Sequence, residues 1–149
     1  MIVFVLRHGE RKPDPEDALT SEGKQRAKLL ARMLRDSGVT IAYRSDHKRT
    51  GEMLDPLGEN FAGALTVHTI PIKTGGPDAH VANVVEAVKA VKTSSPDAVI
   101  AVVTYNITVG PIVEGLGGGT VAVEEHEFDK LFVLFIGPGV RLLKLRYGA

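Results

Sequence analysis

Ile2-Val3-Phe4-Val5-Leu6-Arg7-His8-Gly9-Glu10 opens the chain with an apolar, β-favouring run that turns abruptly polar and charged. An uninterrupted apolar run of this kind reads as a strand buried on both faces, the pattern of a parallel sheet. Parallel strands need helical crossovers, and the sequence supplies them. Thr20 is placed as a helix N-cap with Glu22 in the first turn, and Ala27, Leu30, Ala31 and Leu34 then recur at helical spacing until Gly38. Residues 39–43 read as a second strand. A second helix, capped by Ser45 or Asp46, carries Lys48, Arg49, Glu52, Met53 and Leu54 and is expected to end near Pro56 and Gly58.

Residues 65–70 read as a third strand and residues 71–78, with Gly75-Gly76-Pro77, as a loop. Val81, Val84, Val85, Val88 and Val91 form the apolar stripe of a third helix. A strand over 98–104 and a short helix over 109–116 follow, the latter closed by Gly117-Gly118-Gly119. Two last strands, 131–136 and 140–147, flank Gly137-Pro138-Gly139 as a hairpin. Strands alternating with helices predict an α/β three-layer sandwich, a mostly parallel central sheet with helices on both faces, in a single domain spanning 1–149. In such sheets ligands gather beyond the carboxyl ends of the strands, so the residues after Leu6, Tyr43, Ile70 and Thr104 are the ones to inspect.

Composition narrows the chemistry. The 149 residues hold 18 Lys plus Arg against 18 Asp plus Glu, a balance that argues against a nucleic-acid partner. Cysteine is absent, which removes disulfides, thiolate metal sites and cysteine nucleophiles. Tryptophan is also absent, and aromatics are 5% of the chain, thin for base stacking. No run approaches the roughly twenty apolar residues that span a bilayer, and no targeting segment is visible, so a cytoplasmic protein with no membrane contact is expected. His47, read as lying on a helix surface, His68 on a strand, His80 opening the third helix and His126 match no standard metal spacing. No metal and no cofactor is expected.

A histidine flanked by arginines at a strand end suits phosphoryl chemistry. The positive neighbours Arg7 and Arg11 disfavour the imidazolium and keep His8 neutral and nucleophilic, and their guanidiniums can grip phosphate oxygens in pairs. Gly9 permits close approach of a ligand. Arg49 falls in the opening turn of a helix, whose N-terminus also favours anions.

Taken in order, Arg7-His8-Gly9-Glu10, Leu19-Thr20-Ser21-Glu22-Gly23, Tyr43-Arg44-Ser45-Asp46 with Arg49-Thr50, Val102-Val103-Thr104, and Glu124 to Val133 resemble the histidine phosphatase superfamily, the phosphoglycerate-mutase-like group. In size the chain resembles the small phosphohistidine phosphatases. The resemblance implies that His8 is the nucleophile that carries the phosphoryl group, with Arg7 and Arg49 binding phosphate. Arg11, followed by Pro13, resembles a further phosphate contact of the acid-phosphatase and phytase branch.

The chain departs from the family after Thr104, where a second histidine is expected and Tyr105-Asn106 stands instead. Loss of one preorganised donor commonly costs roughly a hundred- to a thousandfold in rate, although a tyrosine hydroxyl is also a donor. The general acid stays open between Glu10 and Asp78, with Glu52 a weaker candidate. Weak acid machinery favours substrates with good leaving groups, so phosphohistidine or acyl phosphates are expected ahead of sugar phosphates. The expected function is a phosphatase acting on a phosphorylated small molecule or phosphoprotein, with catalytic His8, Glu10 and Tyr105 and phosphate-binding Arg7, Arg11 and Arg49. The alternative is a catalytically silent phosphate- or phosphoprotein-binding module of the same fold.

Overall fold

The computed structural model describes residues 1–60 and 64–149. Its elements run β1 (Ile2–Arg7), α1 (Ser21–Met33), β2 (Ile41–Ser45), α2 (Lys48–Asn60), β3 (Thr66–Ile70), α3 (Gly76–Ser94), β4 (Val99–Thr104), α4 (Asn106–Gly115), β5 (Lys130–Ile136) and β6 (Val140–Arg146). The strands form one sheet in the order β3-β2-β4-β1-β5-β6. Pairing is parallel from β3 through β1, whereas β5 runs antiparallel to β1 and closes the expected hairpin with β6.

β1 explains why its apolar run has no polar face. Alternate residues of a strand point to opposite sides. Leu6 packs with Leu30, Met53 and Leu57 of α1 and α2, while Val3 and Val5 pack with Val84, Val88, Ile112 and Val113 of α3 and α4. Each face of the sheet thus has its own helical layer, which is the three-layer sandwich the sequence predicts. The edge strands β3 and β6 are mostly exposed.

Several element boundaries differ from expectation. α1 stops at Met33, because Ser37 turns back to bond the Leu34 carbonyl through both its N–H and its hydroxyl, and Gly38 takes its positive φ of 79° beyond that turn. β2 starts at Ile41, where its register with Ile100 of β4 begins. α2 runs through Pro56 and Gly58 to Asn60, drawn on by the buried Met53, Leu54 and Leu57. α3 begins at Gly76 and takes Asp78 into its first turn. α4 begins at Asn106, so Tyr105 is its N-cap residue rather than part of a loop.

The order of strands positions the site. From β1 the chain moves over α1 to β2 on one side, and from adjacent β4 it moves over α4 to β5 on the other. The crevice at the carboxyl ends of β1 and β4 is therefore a topological switch point, where open α/β sheets bind ligands. His8 follows one strand and Tyr105 the other.

Candidate active site

The turn after β1 is held against the start of α1 by two glycines. A Cβ on Gly9 would stand 2.9 Å from Gly23 Cα, and one on Gly23 would stand 2.1 Å from the Glu10 carbonyl oxygen. Neither position has room for a side chain. The Thr20 hydroxyl accepts the Gly23 N–H at 3.2 Å, and the Thr20 N–H donates to the Glu10 carbonyl at 2.9 Å. The Arg7-His8-Gly9-Glu10 and Leu19-Thr20-Ser21-Glu22-Gly23 motifs thereby form one backbone unit.

His8 is 1% exposed, and its N–H donates to the Thr104 carbonyl at 3.1 Å. Nδ1 lies 2.7 Å from the Gly9 carbonyl. A carbonyl only accepts, so the ring proton resides on Nδ1 and Nε2 carries the lone pair. Arg49 donates its Nε–H to that lone pair at 2.9 Å. Burial first, then the charges of Arg49, Arg7 and Arg11, push the His8 pKa down to about 3. The ring is neutral across the physiological range, with Nε2 facing a guanidinium.

Asp17, which nothing in the sequence singled out, is the counter-ion of this cluster. Its carboxylate pairs with Arg49 Nη1, lies 3.8 Å from Arg11 Nη1, and accepts the Lys48 N–H at the start of α2 at 2.9 Å. Burial alone would raise the Asp17 carboxyl, but the Arg49 hydrogen bond and charge, with the Lys48 N–H, hold it below its usual value. Asp17 takes a left-handed backbone, φ 51°, uncommon for a non-glycine residue.

Arg7 Nη1 donates to the carbonyls of Glu125 (2.5 Å), Glu127 (3.0 Å) and Glu124 (3.4 Å), and its guanidinium lies 4.0 Å over the Phe128 ring. This cradle brings the segment before β5 to the site. The buried Arg7 Nε has no hydrogen-bond partner among the described residues, and burial followed by the Arg49 charge lowers its pKa to about 10. Arg7 thus has a structural end and an uncommitted donor. Arg11 is partly exposed and also reaches Asp14 at 3.3 Å.

Glu10 does not stand as the expected proton donor. Its carboxylate makes a two-pronged pair with Arg26, at 2.9 and 3.1 Å, and that hydrogen bonding lowers its pKa. Arg26 also donates to the carbonyls of Tyr147, at 2.7 Å, and Ala149, so the pair ties the C-terminal residues to α1. Glu52 accepts the Leu19 N–H at 2.8 Å, and Asp78 is exposed at the start of α3.

Tyr105 is reached through a buried relay. His80, fully buried in α3, bonds the Ile70 carbonyl through Nδ1 at 3.1 Å and the Thr104 hydroxyl through Nε2 at 3.0 Å. Thr108 stands 2.6 Å from the Thr104 hydroxyl and 2.9 Å from the Tyr105 carbonyl. His47 is not on a helix surface. It lies in the turn between β2 and α2, its ring 5.6 Å from that of Tyr105 at 79°. Among the described residues, no group of three His, Cys, Asp or Glu could hold a metal ion, and no helix is long and apolar enough to cross a membrane.

A family model described as the histidine phosphatase superfamily (branch 1) matches residues 3–72. Comparison with curated proteins gives no match. Among solved structures, the protein histidine phosphatase SixA, complexed with tungstate, is similar with a TM-score of 0.74 at 20% identity, over 98% of this chain and 97% of that one. The alpha-ribazole phosphatase of Shigella flexneri gives 0.72 at 16% identity, over 99% and 96%. A mycobacterial glucosyl-3-phosphoglycerate phosphatase gives 0.69 at 14% identity, over 99% of both chains. At these identities the likeness establishes the fold. The chain therefore resembles the histidine phosphatase superfamily in the sequence of its first half and in the fold of its whole length.

Proposed function

We propose that the chain is a phosphatase that takes the phosphoryl group of its substrate onto Nε2 of His8 and then releases it to water. In the first step the Nε2–P bond forms and the bond from phosphorus to the leaving group breaks, the leaving group taking up a proton from solvent. In the second a water oxygen attacks phosphorus and gives up a proton to solvent, the Nε2–P bond breaks, and inorganic phosphate leaves. The observation that carries the reading is the His8 imidazole itself, neutral, with Nδ1–H held by the Gly9 carbonyl and Nε2 turned to Arg49.

Arg49, the uncommitted Arg7 Nε and Arg11 would hold the phosphate oxygens, and Tyr105 would stand at the edge of the site. These guanidiniums supply the positive charge that metal ions supply in other phosphoryl-transfer sites. A phosphate oxygen has to take over the Arg49 donor before Nε2 is free to attack, so substrate binding and nucleophile release are one event. Glu10 is committed to Arg26, and the Asp17 carboxylate to Arg49 and Arg11, so neither is free to protonate a leaving group. That supports phosphohistidine or acyl-phosphate substrates, whose leaving groups need little protonation, over sugar phosphates. Solved structures of similar fold include a protein histidine phosphatase as well as phosphatases of small molecules.

Turnover of an aryl phosphate by the purified chain beside His8→Ala, from about pH 5 to 8, tests the reading. Activity that disappears in the variant is expected. Equal background rates would leave a phosphate-binding module without turnover. Acetyl phosphate or phosphoramidate hydrolysed no faster than a sugar phosphate would overturn the substrate preference.

A further inference from the structure

We propose that Phe128 is a positioning residue for the anion site, its ring fixing the plane of the Arg7 guanidinium so that the Nε–H stays available to a phosphate oxygen. This deepens the phosphatase reading and rests on Arg7 binding the phosphoryl group.

Arg7 is 6% exposed, and taking a guanidinium out of water is costly unless the protein replaces the lost solvation. One short segment does so in two ways. The carbonyls of Glu124, Glu125 and Glu127 all converge on Nη1, which anchors one end of the group. The guanidinium carbon then stands 4.0 Å over the centroid of the Phe128 ring, against the negative face of its π-system. A planar group held at one end and along one face has little freedom left. The buried Nε, without a hydrogen-bond partner among the described residues, is the donor this arrangement leaves over.

The same ring reaches the imidazole. Its centroid lies 6.3 Å from that of His8, at an interplanar angle of 59°, within the range of tilted aromatic pairs. The Arg7 charge helps depress the His8 pKa, which puts the guanidinium within electrostatic reach of that ring.

The ring is itself set by contacts that do not involve Arg7. Before it, the Glu127 N–H donates to the Glu124 carbonyl at 3.0 Å, and the Glu127 carboxylate accepts the Glu124 N–H and pairs with Lys130, each at 3.0 Å. After it, Asp129 pairs with Arg146 at 3.0 Å, and its carbonyl accepts the Tyr147 N–H at 2.9 Å. Phe128 is thus carried between two anchored residues, as a preorganised support requires.

The test uses the full-length chain and inorganic phosphate. In the unaltered protein, an NMR titration with phosphate should shift the Arg7 Nε–H resonance; a resonance that stays put overturns the inference whatever the variants do. Phe128→Leu keeps an apolar side chain but loses the π face, and should weaken phosphate binding by about three- to tenfold. Phe128→Tyr keeps the ring, and the cavity of about 340 Å³ that Phe128 lines with Glu10, His126 and Asp129 offers room for the hydroxyl, so affinity should stay within about twofold. In an Arg7→Gln background the leucine substitution should cost less than about twofold more, because the cation it positions is gone. The same loss in both backgrounds, or equal losses for leucine and tyrosine, would make Phe128 a packing residue only. Phosphate affinity is read without turnover, so the two readings fail separately: activity surviving in His8→Ala overturns the phosphatase proposal, and phosphate affinity indifferent to Phe128→Leu overturns only this inference.

Discussion

Arg49 reaches His8 Nε2 with one N–H, over 2.9 Å, and Asp17 with another, so imidazole, cation and counter-ion form a single chain of bonds. An anion entering this site would compete with both Asp17 and His8 for the Arg49 guanidinium.

Arg49→Ala should weaken inorganic phosphate or vanadate binding by about 2–4 kcal/mol, since a charge-assisted contact is lost. Calorimetric titration measures it. The same variant should raise the His8 pKa, because the Arg49 charge helps depress it. An NMR titration of the ring that shows no upward shift would place Arg49 outside electrostatic reach of His8.

Asp17→Asn should tighten phosphate binding severalfold. The amide can still accept the Lys48 N–H at the start of α2, but it no longer neutralises Arg49. Weaker binding would instead show that Asp17 holds Arg49 in the orientation the anion requires.

Acid should destabilise the chain in a window set by His8. Its folded pKa is depressed from 6.5 to about 3, so below pH 6.5 the unfolded chain binds the proton and the folded chain does not. Stability attributable to this ring is complete above pH 6.5 and is lost as the pH falls, by about 3 kcal/mol between pH 6.5 and 4. Urea midpoints measured over this range should fall less steeply for His8→Asn. Parallel curves for the two proteins would contradict a buried neutral ring.

Glu10→Gln should lower stability by about 1–3 kcal/mol, because the largely buried Arg26 loses its paired carboxylate. The pH optimum for turnover should stay in place, since that carboxylate is bound to Arg26. A shifted optimum would return Glu10 to the chemistry.

Gly23→Ala should be severely destabilising, its new methyl 2.1 Å from the Glu10 carbonyl oxygen. Gly58→Ala, in α2 with open space where the methyl would go, should stabilise by up to about 1 kcal/mol on helix propensity. Thermal unfolding of the two variants should give shifts of opposite sign, and equal shifts would contradict the close Gly23–Glu10 contact.

The fold was legible because its signals are local. An apolar run such as residues 2–6, a capping Thr20 and the valine stripe of α3 report burial on one or two faces within a few residues. Those signals also placed His8, Arg49 and Tyr105 at strand and helix ends, where the sheet brings them together. The boundaries that went astray, at Pro56 and at Tyr105, are places where packing extends a helix past its local stop or start signals.

The sequence by itself determined the α/β order of elements and the cation-flanked position of His8 at the end of β1, whereas its neutrality comes first from the burial that the tertiary structure imposes. Only the tertiary structure decided which polar groups meet: Asp17 with Arg49, Glu10 with Arg26, Arg7 with the carbonyls before β5, and His47 with Tyr105. Helix and strand periodicity is imposed by neighbours in the chain, whereas buried polar atoms must find whatever partner packing delivers, and that partner can lie more than a hundred residues away.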